Sequence, residues 1–353
     1  MLRKIFYSFG FIAILLTLLP LVAVDYWWIR VFDFPHTQLT ILTFISILTF
    51  LIRFDRKSKK DYFFLTILIV CCGFQFYKIH TYTFVKPIEL SDSSENVKTD
   101  LKLYSCNVFQ KNEDKSLVIT DIESLQPDVV LLTEVNSSWA NALEHSFLHS
   151  YSFKEIVPLE NTYGIALYSN LDLIDIETRF VVSDSIPSIH GKIKLKNGTL
   201  VQFHAIHPTP PVPQENDMST NRDAEMMITA KMSNERKLPT IVFGDFNDVP
   251  WSETTELFKT VSRLLDPRIG RGLYNSYDAN SVILKWPLDH MFISEEFRLK
   301  RFETRNDVNS DHYPMYAEFS FEPNLAENQK PKKPSKEDLE RMENQIKEFK
   351  EKN

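Results

Sequence analysis

Apolar positions follow two different rhythms along this chain. Up to about residue 80 they form three long, nearly unbroken runs; beyond residue 100 they come in short runs between polar turns. The first run, 5–24, is uncharged and follows a basic start at Arg3 and Lys4. It is long enough to cross a bilayer once as a helix. A cleaved signal peptide is the rival reading, but no small-x-small cleavage pattern follows. Asp25-Tyr26-Trp27-Trp28 comes instead, and two tryptophans suit a membrane–water interface. A second run covers 35–52 and a third 62–80, with Lys78 able to snorkel at the end of the latter. Between them, residues 53–60 carry five basic side chains.

These runs predict a membrane anchor over 1–84 with three helical spans, 5–24, 35–52 and 62–80. Cytoplasmic loops collect Lys and Arg, so Arg3, Lys4 and the 53–60 loop belong in the cytoplasm. Three crossings then place everything after about residue 82 on the extracytoplasmic side of the inner cell membrane, and an even number would reverse that. The alternative is that runs two and three form a buried helical hairpin or lie in the interface. A channel or transporter is disfavoured, because no charge sits within 5–24, 37–52 or 62–77.

Residues 85–99, with Pro87 and Ser91-Asp92-Ser93-Ser94-Glu95-Asn96, read as a polar linker. A soluble domain over 100–322 follows. Its periodicity predicts strands at 101–108, 128–135, 152–157, 163–169, 173–180, 190–195, 200–207, 240–246, 282–293 and 313–321. Helices are expected at 114–125, 138–145, 221–235 and 254–261. Many strands and few helices predict an α+β domain with face-to-face sheets covered by helices, rather than a doubly wound parallel sheet. The 323–353 tail is strongly charged and partly helical, with Ser335 and Asp338 forming a capping box. Leu339, Met342, Ile346 and Phe349 share one face of that helix. Two readings stand for it: a solvated terminal helix, or a docking element for a partner or membrane surface.

The chemistry gathers where strands end. In Ile241–Trp251 an apolar run delivers Gly244-Asp245-Phe246-Asn247-Asp248 to a strand terminus, and Pro250 stops it. Asp-x-Asn sets a carboxylate and an amide on one face. Such a pair can polarise a water and hydrogen-bond an anionic oxygen, as hydrolysis at phosphorus requires. The competing reading is a turn that caps the next helix. Asn107 and Glu134 also end apolar strands, and a carboxylate after a buried run needs a partner or a metal. His207, then Asp289-His290 and Asp311-His312, complete the series. Each has a structural explanation when taken alone: a cap, a buried hydrogen bond, a surface pair.

Taken in order, Asn107, Glu134, His207, Gly244-Asp245-Phe246-Asn247, Leu288-Asp289-His290 and Ser310-Asp311-His312-Tyr313-Pro314 resemble the endonuclease/exonuclease/phosphatase superfamily. The resemblance covers about 100–322 and implies a four-layer α/β/β/α sandwich of the deoxyribonuclease-I-like type with its site at one edge. It also implies a Mg²⁺-dependent hydrolase of phosphate esters, with Mn²⁺ as a substitute. In that pattern Glu134 is the main metal ligand, with Asn107 beside it and Asp311 as a further ligand. Asp245 orients or deprotonates the attacking water, and Asn247 steadies the nucleophile and phosphorane oxygens. Asp289 and His312 form a carboxylate–imidazole pair facing the phosphate, and His207 is the acid towards the leaving oxygen. Phe109 stands where some members carry a second acid, which throws more of the metal site onto Glu134. The apolar N-terminus, His207-Pro208-x-Pro210-Pro211 and Gly270-Arg271-Gly272 resemble membrane-anchored bacterial members more narrowly. That makes Arg271 a candidate for substrate phosphate, and pairing with a nearby acid is its other reading.

Charge limits the choice of substrate. Residues 98–322 carry about 22 Lys and Arg against about 33 Asp and Glu, and no basic stripe with interleaved aromatics appears. Nonspecific nucleic-acid binding depends on neutralising several phosphates, so a nuclease is permitted but not favoured. The partners expected are therefore a phosphate-ester substrate and the lipid bilayer; no protein partner can be inferred. Cys71, Cys72 and Cys106 form neither a metal spacing nor a disulfide framework. The competing function is a membrane-tethered binding module of the same fold that has lost its chemistry, although Asp245, Asn247, Asp289 and His312 are all present.

Overall fold

A computed structural model describes residues 1–21, 26, 31–211 and 218–352. Three apolar helices open the chain: α1 (Leu2–Leu18), α2 (His36–Leu51) and α3 (Lys59–Ile79). Residues 22–24 of the first expected span, and Trp27 and Trp28, lie outside the described residues. Ile14, Phe50, Leu68 and Cys71 form the bundle's centre, while Phe11, Phe44, Phe63 and Val70 face outward and are exposed. Arg3 pairs with Asp61 at 2.6 Å, and the Tyr7 hydroxyl donates to the same carboxylate, tying α1 to α3 at one end. Among the described residues, Lys59–Tyr82 is long and apolar enough to cross a membrane, and His36–Leu51 is apolar but shorter.

The rest builds two mixed sheets. One uses β1 (Leu101–Asn107), β2 (Val129–Thr133), β3 (Phe153–Val157), β4 (Ile165–Ser169), β10 (Phe297–Thr304) and β11 (Met315–Phe321), in the order β10-β11-β1-β2-β4-β3. The other runs β5 (Asp172–Arg179), β6 (Ser188–Lys194), β7 (Leu200–Ala205), β8 (Thr240–Asp245), β9 (Asp289–Ile293). The pairs β1–β2 and β7–β8 are parallel; the others are antiparallel.

Alternation along each central strand explains the layering. On β2, Val129 and Leu131 enter the core between the sheets, while Val130 and Leu132 pack under α4 (Ser116–Leu125) and α5 (Ser137–Glu144). On β8, Ile241 and Phe243 face the same inter-sheet core, and Val242 packs under α6 (Thr220–Asn234) and α7 (Glu253–Ser262). Strands covered on both faces must be apolar on both, and these are. The result is an α+β, four-layer α/β/β/α sandwich.

Four expectations need correction. The strand foreseen at 282–293 begins only at Asp289, because Pro287 offers no N–H to a ladder; Val282, Ile283 and Leu284 are exposed. Strand β10 was not expected, since Arg298, Lys300 and Arg301 break its apolar pattern, and it is a charged edge strand with a bulge near Leu299. The tail does not stand in solvent: helix α8 (Lys336–Lys352) lies on the domain with Met342 and Ile346 buried against the α6–α7 layer. Ser335 and Asp338 cap it reciprocally, the Ser335 hydroxyl accepting the Asp338 N–H at 3.1 Å. Part of the polar linker is also fixed: Leu90 lies in the inter-sheet core, and Glu89 binds Lys259 and the Asp266 N–H.

The helical bundle meets this domain at the end opposite Arg3 and Asp61. There the Trp251 indole donates to the Asp33 carbonyl at 2.7 Å, and the Tyr82 hydroxyl donates to the Pro250 carbonyl at 3.0 Å.

Candidate active site

Strand register assembles the site. Parallel pairing sets Asn107 level with Thr133, so Glu134 follows immediately beside it. Antiparallel pairing sets Asp245 opposite Asp289. His207 lies just past the end of β7, and Ser310–His312 precede β11, which pairs with β1 near Ser105. One edge of the sandwich thus collects all of these ends. Gly244 makes the close approach: a Cβ there would sit 2.0 Å from the Ile206 carbonyl oxygen, and its φ of +141° suits glycine.

Hydrogen bonds fix the side chains. The Asn107 amide donates to Glu134 Oε1 at 2.9 Å and to Asp245 Oδ2 at 3.1 Å. Glu134 Oε2 accepts the Gln110 N–H at 3.0 Å. Asp245 Oδ1 accepts the Asn247 N–H at 2.9 Å, and the Asn247 amide donates to the Pro208 carbonyl at 3.0 Å. His312 Nδ1 lies 2.7 Å from Asp289 Oδ2, and its Nε2 lies 3.6 Å from Asp245 Oδ2. His207 Nε2 approaches the same Asp245 oxygen to 3.7 Å, and its buried Nδ1 has no hydrogen-bond partner. Together these groups border or underlie a cavity of about 530 Å³. Asn107, Glu134, His207, Asn247, Asp311 and His312 line it, with Asp245 and Asp289 just beneath.

The backbone is strained at this cavity. Phe109, Glu134, Thr162 and Asn247 all line it with positive φ, between 50° and 70°. Left-handed geometry costs a side-chain-bearing residue about 1–2 kcal/mol, and such strain persists where surrounding contacts hold it.

Burial and charge oppose one another here. Burial alone would push the His312 imidazole down, but Asp245, then Asp289 with its hydrogen bond, outweigh it and lift the group to about 10. His312 is therefore an imidazolium clamped between two carboxylates. Burial raises Asp311 to about 6; the His312 charge pulls the other way, while Glu134 and Asp245 add to the rise. Burial also holds Asp289 above the usual carboxylate range against the pull of His312.

Four acids, Glu134, Asp245, Asp289 and Asp311, thus converge with more negative charge than one imidazolium balances. Carboxylate and amide oxygens are the ligands a hard divalent cation takes, so the donor set fits such an ion. Ligand atoms of Asp245, Asp289 and His312 lie within 4.8 Å of one another. His312 Nδ1 is hydrogen-bonded to Asp289, however, and its Nε2 faces Asp245 at 3.6 Å, which makes that trio a set of ion pairs centred on the imidazole. Glu134, Asp311 and the Asn107 carbonyl are then the ligands available at the cavity wall.

Of the residues singled out in the sequence, Arg271 alone lies apart. It pairs with Asp92 at 2.5 Å and donates to the Leu90 carbonyl at 2.7 Å, fastening the linker instead of facing the cavity. The Gly244–Asp248 stretch divides between the cavity and the next helix: Asn247 lines the cavity with Asp245 beneath it, while Asp248 accepts from Ser252 and Thr255 at the start of α7. The sequence reading missed the cavity's second wall: Val31, Phe34, Tyr163, Tyr277, Trp286 and Leu288. Apolar residues in loops carry no spacing signal, and Val31 and Phe34 come from the region between α1 and α2.

The sequence matches the Endonuclease/Exonuclease/phosphatase family over residues 104–312. Solved structures share the fold. An endonuclease/exonuclease/phosphatase family protein from Bacteroides thetaiotaomicron is 18% identical with a TM-score of 0.52, covering 65% of this chain and 98% of its own. D. rerio TDP2 complexed with single strand DNA product is 14% identical with a TM-score of 0.53, covering 63% and 100%. The human Nocturnin catalytic domain with bound sulfate anion is 17% identical with a TM-score of 0.51, covering 63% and 94%. No curated protein matches. The chain belongs to the endonuclease/exonuclease/phosphatase family, whose members hydrolyse phosphate esters and generally use divalent metals.

Proposed function

We propose that this family member is a membrane-anchored, divalent-metal-dependent phosphoesterase in which water displaces an alcohol from phosphorus. One observation carries the reading: ends of six strands bring four acids, an imidazolium and a second histidine to a single cavity. Asp245 orients the attacking water and takes its proton as the new O–P bond forms. The second Asn247 amide hydrogen steadies the nucleophile and the equatorial oxygens. His312, held charged by Asp245 and by its hydrogen-bonded partner Asp289, donates from Nε2 to a phosphoryl oxygen as negative charge builds there. His207 passes a proton to the leaving oxygen as its bond to phosphorus breaks. A Mg²⁺ ion, or Mn²⁺ with similar ligand preferences, would be held by Glu134, Asp311 and Asn107 and would supply positive charge to the phosphoryl group.

The anchor reading rests on the bundle. Its outward faces are apolar and exposed, which favours a bilayer around the helices over the buried hairpin of a soluble protein. Arg3, Lys4 and the 53–60 loop lie at one end and the domain docks at the other, which supports an extracytoplasmic domain.

The test is hydrolysis of bis(p-nitrophenyl) phosphate and of p-nitrophenyl phosphate by the full chain in detergent, with and without EDTA. Asp245→Ala and His312→Ala should each lower kcat by roughly 10³-fold, and EDTA should abolish turnover until Mg²⁺ is restored. Turnover that survives both variants would remove these residues from the mechanism. A folded protein that turns over neither ester would favour the binding module.

A further inference from the structure

We propose that Val282-Ile283-Leu284 inserts into the bilayer beside α2, and that the cavity's apolar wall receives the lipid part of a membrane-borne phosphate ester. This deepens the phosphoesterase reading and rests on it for the substrate. The three residues are 94%, 72% and 50% exposed, yet the loop holding them is anchored. The Gln38 amide donates to the carbonyls of Ile283, at 3.0 Å, and Lys285, at 3.2 Å. Gln38 is in the first turn of α2, and Ile41, three residues on, already faces outward and exposed. At 1.5 Å per residue the separation along the helix axis is about 4.5 Å. The loop tip therefore sits level with the start of the helix's apolar outer surface.

A second exposed apolar pair lies at the same end of the bundle. Phe84 and Val85 follow α3 where it leaves the bundle, and they are 92% and 61% exposed. Apolar patches isolated on a monomer's surface are ordinary, but contiguous exposed ones mark contacts. Here both lie at the bundle end where the domain docks, and a lipid surface is the one occupant that covers both together with the helix exteriors.

The same loop leads straight to the catalytic cavity. Trp286, two residues past the tip, lines it and meets the Phe34 ring edge-on at 5.8 Å. Val31 and Leu288 line the same cavity as Glu134, Asp311 and His312, and Tyr277 bridges the two sets, stacked on Trp286 and 4.9 Å from the His312 ring. A phosphate ester seated against the acids and His312 thus directs its substituent along an aromatic and aliphatic surface towards the bilayer. A soluble sugar phosphate has no apolar chain to cover the aliphatic part of that surface, and indifference to chain length would point instead to a nucleobase stacked on Trp286.

The experiment uses the full chain in nanodiscs and has two arms. In a Cys72→Ala background, Ile283→Cys carries a bimane label, and the discs contain phosphatidylcholine brominated on its acyl chains; Lys196→Cys, on the far side of the domain, is the control. Quenching at 283 but not at 196 is expected, and equal absence of quenching at both overturns the insertion. The second arm compares dodecyl with methyl p-nitrophenyl phosphate. Wild type should favour the dodecyl ester by well over tenfold in kcat/KM, as burial of several methylenes allows. Val282→Ser/Ile283→Ser/Leu284→Ser should lower that preference severalfold while methyl ester turnover stays unchanged. Phe34→Ser should lower it as well. A wild type indifferent to chain length overturns the lipid substrate. If neither ester is turned over, the catalytic reading falls, and the quenching arm still decides the insertion.

Discussion

Glu225 sits on α6 with both carboxylate oxygens buried and without hydrogen-bond partners. Burial raises it to about 8. The folded state therefore keeps a proton that the unfolded chain releases near its ordinary value, so folding is favoured at low pH and loses stability as pH rises towards 8. Glu225→Gln should remove that decline, gaining up to roughly 4 kcal/mol at pH 8 and nothing near pH 4. Melting curves of both proteins across that range would show the gap open; parallel curves would mean the carboxylate has a partner. A different arrangement governs Asp289, whose charge keeps His312 an imidazolium. Asp289→Asn preserves the shape but not the charge, and should lower kcat by about 10²–10³-fold with little change in KM. A rise confined to KM would make the pair a binding element. Asp289 and His312 were singled out in the sequence by their place in an ordered series that resembles a family, since each acid or histidine alone has a structural explanation. Glu225 was not, since one acid within a helical pattern looks like any solvated position until packing covers it.

Secondary elements were legible wherever a period was clean, as on β1, β2, β8 and α7, and their ends fell within a residue or two. Two failures have physical causes. Strand β10 hides its period behind Arg298, which is buried with its guanidinium held by Gln329 and the Leu325 carbonyl, and behind Lys300 and Arg301, which are exposed beside a bulge at the sheet edge. The terminal helix, α8, has a plain apolar stripe, but no single chain pattern says what receives it; the receiver is the α6–α7 layer, more than 70 residues earlier in sequence at its nearest. Met342→Ala should therefore destabilise the domain by about 2–4 kcal/mol, where a solvated helix would lose almost nothing. Denaturant unfolding of the two proteins distinguishes these. The linker behaves similarly, because Arg271 clasps Leu90 and Asp92. Arg271→Ala should leave KM for a phosphate ester within about twofold while increasing proteolysis between residues 85 and 99. A tenfold rise in KM with no new cleavage would return Arg271 to the substrate.

At the scale of the whole molecule, two charge distributions meet across one helical bundle. Arg3 and the 53–60 loop hold positive charge at one end, with Arg3 pinned to Asp61. The acidic domain is docked on the other through Asp33, Phe34 and Tyr82. A bias of Lys and Arg towards the cytoplasmic side would place that end inside, and the domain is docked at the opposite end of the bundle. The catalytic cavity, whose wall includes Phe34 from the region between α1 and α2, should then face away from the cytoplasm. Cys71 and Cys106 are buried and Cys72 is partly covered, so a cysteine introduced at an exposed position reports its own compartment. A membrane-impermeant maleimide applied to intact cells should label Lys332→Cys, ahead of α8, and should label Lys57→Cys only after permeabilisation. A domain that stays unlabelled in intact cells would be a cytoplasmic phosphoesterase, through an even number of crossings if Lys57→Cys is also unlabelled and through an inverted bundle if it is labelled. That outcome would also redirect the substrate to the inner leaflet, because the apolar tip at Val282–Leu284 and the cavity mouth beside it move with the domain.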